Sequence, residues 1–328
     1  MPNPRPLFTL AELEAALPLV RSVVPATPQH AWPLLAERTG AAVWVKHENH
    51  TPIGAFKVRG GVTYLDALKR GGQSFQGVVS ATRGNHGQSI ALAAARAKLP
   101  CTIFVPHGNS REKNAAMQAL GAKLVVIGAD FDACRPHAAT FAAEHGYHYV
   151  PSFHADLVKG VATYALELFG AVADLDAVYA PIGMGSGICG LISVRDLLGV
   201  TTDIIGVVAD SAPAVALSVE QGHLVNTNHA ETFADGMACR VPVAEPIEII
   251  RRGAARIVRV TEDEIAAAMR AYYTDTHNLA EGAGAAPLAA LLKERARMQG
   301  KRVGLILSGG NIDREQFLRV LAGETPSP

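Results

Sequence analysis

The sequence predicts an α/β protein built on open, mostly parallel sheets flanked by helices. Short apolar runs of strand length, rich in Val and Ile and bounded by Gly, Pro or a charge, alternate with Ala- and Leu-rich amphipathic stretches. The runs are almost unbroken in their apolar character, as strands covered on both faces by helices are. Several of them end in glycine- and polar-rich loops, where such sheets bind their ligands.

Taken in order, the strand candidates are "AAVWVKHE", "GVVSAT", "CTIFVP", "KLVVIG", "YHYVPSF", "AVYAPIG", "DIIGVVA", "ARIVRV" and "RVGLILSGG". Between them fall helical candidates at 87–98, 111–120, 132–145, 156–170, 187–198, 262–273 and 285–299. No repeat, low-complexity tract or long linker interrupts the rhythm, and the tail "GETPSP" is expected to fray. A chain of 328 residues is long enough for two cores or one large one, because single cores divide beyond roughly 250–300 residues.

Composition narrows the function classes. Lys+Arg and Asp+Glu both number 30, so no basic excess points to nucleic acid or an acidic membrane. The start "MPNPRPLFTLAELEAALPLV" lacks the form of a leader peptide, and no run of about 18 apolar residues occurs, so a soluble cytoplasmic protein acting on small molecules is expected. Cys101, Cys134, Cys189 and Cys239 show no C-x-x-C spacing and read as buried small residues.

Three loops carry residues unusual for connectors: "SATRGNHGQS", "PIGMGSGICG" and "SGGNID". In the second, Gly183, Gly185, Gly187 and Gly190 follow a strand and open a helix, so exposed amides and the helix dipole suit a phosphate. A dinucleotide site is the competing reading, kept open by Asp210 about twenty residues on, although the spacing departs from G-x-G-x-x-G. In the first, the amides at the helix start suit a carboxylate and Asn85 can donate to an oxygen; an ordinary cap at Ser80 or Thr82 and a satisfied loop histidine at His86 are the plain alternatives.

The segment "TPIGAFKVRGG" places Lys57 between Phe56 and Val58. Apolar surroundings disfavour the ammonium form and make the amine a nucleophile able to form an imine with an aldehyde, with Arg59 adding like-charge pressure. A lysine whose stem lies on an amphipathic helix and whose head reaches solvent is the other reading.

In order and spacing, "NHTPIGAFKVRGG", "SATRGNHGQS", "PIGMGSGICG" and "SGGNID" resemble the fold-type II pyridoxal-phosphate enzymes, in particular serine/threonine dehydratases and serine racemases, over roughly residues 20–320. The resemblance implies a large cofactor-binding domain from 1–77 and 154–328 and a small domain at 78–153. It implies that Lys57 bonds covalently to pyridoxal 5'-phosphate, that Phe56 packs near the ring, and that Asn85 meets the ring's 3'-oxygen. By the same resemblance Gly183, Met184, Gly185, Ser186 and Gly187 take the phosphate, Gly236 lies over the cofactor, Glu281 sits near the ring, and Ser308 faces the pyridine nitrogen. Thr82, Arg83, Gly84, Asn85 and His86 would hold the substrate, with Ala55 beside it.

The expected activity is ammonia-lyase or dehydratase chemistry on a β-hydroxy amino acid, L-threonine or L-serine by default, with phenylserine or hydroxyaspartate types possible. Racemization or β-replacement on the same fold, or a nucleotide-binding sensor, are the alternatives. Racemases of this kind carry a serine where this chain has Arg83, and arginine is a poor proton shuttle. The family's serine before Phe-Lys is Ala55 here. No metal is expected, since Asp210 lacks a second carboxylate at Ala216. A homo-oligomer, dimer or larger, is implied, and because "SGGNID" lies close to the last residue no regulatory domain is expected.

Overall fold

The computed structural model describes residues 6–327, so the first five residues of the stretch read for a leader, and Pro328 of the tail, lie outside it. The chain opens with α1 (Leu10–Arg21), β1 (Gln29–Ala31), α2 (Pro33–Thr39), β2 (Ala42–His47) and α3 (Lys57–Arg70). Next come β3 (Val78–Ala81), α4 (Asn85–Ala97), β4 (Cys101–Val105), α5 (Arg111–Ala119), β5 (Lys123–Val126), α6 (Phe131–His145) and β6 (His148–Tyr149). Then follow α7 (Ala155–Ala171), β7 (Ala177–Pro181), α8 (Ser186–Leu198), β8 (Asp203–Ala209), α9 (Ala214–Gln221) and α10 (Ala244–Gly253). The chain closes with β9 (Arg256–Val260), α11 (Glu262–Thr276), α12 (Gly282–Lys293), the single turn α13 (Arg295–Met298), β10 (Arg302–Leu307) and α14 (Arg314–Leu321).

Among the described residues two sheets form, one of six strands in the order β1-β2-β10-β7-β8-β9 and one of four in the order β5-β4-β3-β6. Every strand pair is parallel except β1 with β2, the antiparallel edge. Strand alternation splits the cores. On the large sheet Tyr179, Val207 and Leu305 face α11 and α12, while Val178, Ile204 and Ile306 face α7 and α8. On the small sheet Val78 and Ile103 pack under α4 with Tyr64 and Leu65 of α3, and Val79 and Phe104 pack under α6.

Local chemistry explains several boundaries. Thr9 with Glu12, and Thr261 with Glu264, form capping boxes that start α1 and α11. Helix α12 begins at Gly282, ahead of the expected 285. Its glycines lie against neighbours with no room for a side chain: a Cβ on Gly284 would stand 2.5 Å from the Gly309 carbonyl oxygen. Packing there overrides weak helix propensity. The expected helix 285–299 breaks at Glu294, whose carboxylate is held by Arg256 and by the Tyr179 hydroxyl. The tail does not fray over its described residues: Glu324 pairs with Arg319, Thr325 donates to Asp263, and Pro326 is buried.

Helix α3 is set by its neighbours. It touches α7 at Gly160, where a Cβ would come within 2.2 Å of the Arg59 carbonyl oxygen. Beneath it Arg59 is wholly buried, reaching Glu48 through Nε at 2.7 Å and Glu167 through Nη1 at 3.0 Å and Nη2 at 2.9 Å. Buried Lys46 completes the set with Glu167 at 2.7 Å. Two cations and two carboxylates thus neutralise one another out of water. Arg59 therefore does not exert the like-charge pressure on Lys57 expected from sequence; its charge is spent on Glu48 and Glu167, and burial is what acts on Lys57.

Arg59→Met is expected to destabilise the fold by about 3–5 kcal/mol, because two buried carboxylates are left with a single cation. Chemical denaturation followed by circular dichroism measures this. Arg251→Met, at an exposed pair with Glu248, is expected to cost under about 1 kcal/mol.

Candidate active site

The carboxyl ends of the parallel strands in both sheets open onto one cleft. Loops after β3, β7 and β10, the lysine turn, and the 3-10 turn Asp235–Met237 form its walls. Of the residues expected from sequence, Phe56, Lys57, Thr82 to His86, Gly183 to Gly187, Gly236, Glu281 and Ser308 line it together. Ala55 does not: it is fully buried, bridges to Gly309, and has its N–H and carbonyl oxygen engaged by the Thr51 hydroxyl. Its β-carbon serves the packing of the lysine turn on the β10 loop.

Lys57 is the first residue of α3, and the turn before it is pinned where the Phe56 amide donates to the Ser308 carbonyl at 3.0 Å. Its Nζ donates to Ser186 Oγ at 2.9 Å and lies 4.8 Å from the Phe56 ring centre. The residue is partly accessible through the cleft, yet the walls enclose it, and that burial lowers its pKa to about 8. No carboxylate pairs with it among the described residues. His86, also buried, falls to about 3 through burial and then through Lys57's charge, so its ring is neutral.

The glycine loop leads into α8, whose N-cap, Gly185, offers no side-chain cap. Among the described residues, the amides of Gly183, Met184, Gly185, Ser186 and Gly187 donate to no other group of the chain. Five uncommitted N–H groups at a helix start form a site for a multiply charged anion. Gly183 is required by the Gly236 carbonyl oxygen, which would stand 2.1 Å from any Cβ there.

The opposite wall is charged. Asp235 takes Arg83 Nη2 at 3.0 Å and Lys113 Nζ at 2.9 Å. Lys113 also lies 3.1 Å from Glu281 Oε2, near enough for an ion pair although not aligned as a hydrogen bond. Burial works against the Lys113 charge, but Asp235 and Glu281 outweigh it and its pKa is raised. Burial raises the Glu281 carboxyl against the opposing pull of Lys113 and Asn85. Asn85 Nδ2 donates to Glu281 Oε1 at 2.6 Å.

Sequence reasoning missed Lys113 and Asp235. Lys113 sits in "SREKNAAM", which reads as the polar start of a surface helix, and its partners are 122 and 168 positions away. Asp235 had a signal, its place beside Gly236 in "ADGMA".

The model of the family described as "Pyridoxal-phosphate dependent enzyme" matches residues 20–309. The chain belongs to that family. It is 36% identical over 280 residues to the L-threonine ammonia-lyase of Geobacter sulfurreducens, covering 85% of this chain and 69% of that one. Over 310 residues it is 30% identical to the L-threo-3-hydroxyaspartate ammonia-lyase of Saccharomyces cerevisiae, covering 94% and 95%. Among solved structures it resembles the processed threonine deaminase isoform 2 of Solanum lycopersicum with a TM-score of 0.86, 28% identity and coverage of 98% and 99%. A pyridoxal 5'-phosphate-dependent aspartate racemase matches with a TM-score of 0.89, 27% identity and coverage of 96% and 99%.

The cleft fits the cofactor of this pyridoxal-phosphate dependent enzyme family. The free amides suit its phosphate, and an enclosed amine of lowered pKa suits its aldehyde. Below pH 8 the Lys57 amine is protonated and has no lone pair to offer, so trapping of added pyridoxal phosphate on cofactor-free protein by borohydride is expected to quicken with pH and level off above about 8. An ordinary lysine would quicken up to 10.5. Gly183→Ala is expected to force the glycine loop away from Gly236 and weaken cofactor affinity by roughly tenfold or more, the effect of losing one or two charge-assisted hydrogen bonds; equilibrium dialysis measures it.

Proposed function

We propose that this enzyme is an ammonia-lyase that removes the β-hydroxyl of a β-hydroxy amino acid, L-threonine or L-serine by default, and yields a 2-keto acid and ammonia. The observation that carries this reading is the pairing of one base with no partner base. Lys57 has a pKa near 8, while Arg83, in the loop before α4, is held by Asp235, and a guanidinium is a poor proton shuttle. Racemization needs a second group able to give and take a proton, and neither Arg83 nor a neutral His86 of very low basicity meets that need. The names of the ammonia-lyase relatives support the same class.

When bound, pyridoxal phosphate supplies the electron sink that makes the α-proton of the amino acid removable. The amides of Gly183 to Gly187, with the Ser186 hydroxyl, would hold the phosphate. Ser308, which lines the cleft, would offer the ring nitrogen a neutral partner, and Phe56 lines the site from the lysine turn. The Thr82 and Gly84 amides are already spent on the Phe104 carbonyl and the Thr82 hydroxyl, so the substrate carboxylate would be held by the amides of Arg83, Asn85 and His86 at the start of α4, which would orient the α-carbon toward Lys57. Lys57 would hold the cofactor covalently and, once freed by the substrate's amine, would take the α-proton as base. The β-oxygen would leave as water, taking up the proton that Lys57 has removed. The released enamine then adds water and loses ammonia, so one water is lost and one regained. Asp235, Lys113 and Glu281 keep the facing wall close to neutral, which limits repulsion of a zwitterionic substrate.

We also propose the division of the chain at 77/78 and 153/154, a homo-oligomer and a cytoplasmic location; light scattering on the purified protein tests the second.

Lys57→Ala is expected to abolish keto-acid release and the visible absorbance of the bound cofactor. Wild-type protein given L-threonine, L-serine, phenylserine and 3-hydroxyaspartate separately is expected to release keto acid and ammonia in equal amounts from at least one. Appearance of the mirror-image amino acid instead, or product only when a second nucleophile is supplied, would overturn the lyase reading in favour of racemization or β-replacement.

A further inference from the structure

The loop after β10 carries Asn311, which is outside the residues assigned above to cofactor or substrate. Its Nδ2 donates to the Ile53 carbonyl at 2.7 Å and to Asn85 Oδ1 at 2.8 Å. A backbone carbonyl can only accept, so the Asn311 atom facing Ile53 must be the nitrogen. Its other proton then requires the facing atom of Asn85 to be the oxygen. Asn85 is left with its nitrogen toward Glu281 Oε1 at 2.6 Å and one N–H uncommitted, on a residue that lines the cleft.

We propose that Asn311 is a positioning residue that fixes the polarity of the Asn85 amide, so that Asn85 presents an N–H donor and not its oxygen to the bound cofactor. Glu281 cannot do this by itself. Burial raises its pKa, and a protonated carboxyl would accept or donate to either end of the Asn85 amide. The Ile53 carbonyl does not titrate, so the direction it imposes holds at every pH. The fold makes room for the device: Gly54 has φ +66° and a Cβ there would lie 2.6 Å from Asn311 Oδ1. The Gly310 amide donates to the Gly54 carbonyl at 2.9 Å and ties the two loops at the same point.

The proposal rests on the cofactor and not on the lyase reading, and its readouts are spectrum and affinity, which a wrong substrate assignment leaves untouched. Asn311→Asp keeps the shape but removes both donors. It is expected to shift the visible absorption maximum of the bound cofactor and to weaken cofactor affinity by roughly tenfold or more, as for loss of one charge-assisted hydrogen bond. In an Asn85→Ala background the same change is expected to alter affinity by less than about twofold, because the residue it acts through is gone. Should Asn311→Asp fail to fold, Asn311→Ser, with a single donor, is put through the same cycle with the same expectation. An unaltered spectrum and affinity in the single variant, or an undiminished effect in the Asn85→Ala background, overturns the proposal.

Discussion

The buried ion network of Arg59, Glu48, Glu167 and Lys46 is the constraint on which the site depends. Charges this deep are tolerable only when each is paired, so the loop before α3, strand β2 and the helix α7 must meet in one arrangement. Arg59 lies two residues after Lys57, and the same helix start presents the amine to the cleft. A network that neutralises itself beneath the helix leaves the amine above it without a carboxylate partner. Burial then lowers the Lys57 pKa, and that is the property the proposed chemistry uses.

The cleft is a polar seam between two sheets with separate apolar cores. Met184 packs against the small-sheet cluster of Phe104 and Phe131, and the other contacts across the cleft include hydrogen bonds and ion pairs: Asn85 with Glu281, Arg83 and Lys113 with Asp235, and Asp130 with Arg240. Such pairs exchange readily for water or ligand groups, whereas an interdigitated apolar seam would have closed the space a cofactor needs. Each wall has its own task. The glycine loop offers uncommitted amides, and the facing wall balances two cations against Asp235 and Glu281.

Much of this was legible in the sequence because it is local. Strand-length apolar runs, glycine loops and the phenylalanine-lysine turn depend on neighbours within a few positions, and each lies where the periodicity puts it. The edge strand β1 escaped because three residues give no period. Helix α1 escaped because Pro18 interrupts its pattern, although Thr9 and Glu12 signal its start. Ala55 misled for a different reason: its place before Phe-Lys marks it as a site residue, but the turn rotates its side chain into the packing against Gly309.

The sequence by itself determined the α/β architecture of parallel sheets covered on both faces by helices, the order of the loops and which residue types stand at the strand ends, since these follow from backbone propensity and apolar pattern. Only the tertiary structure decided what each charge does. Arg59 became a buried counterion, not a neighbour pressing on Lys57; Lys113 became a wall of the cleft, not a surface lysine. The partners of both lie 11 to 168 positions away along the chain. Electrostatic energy depends on distance and burial in space, and neither is encoded in spacing along the sequence.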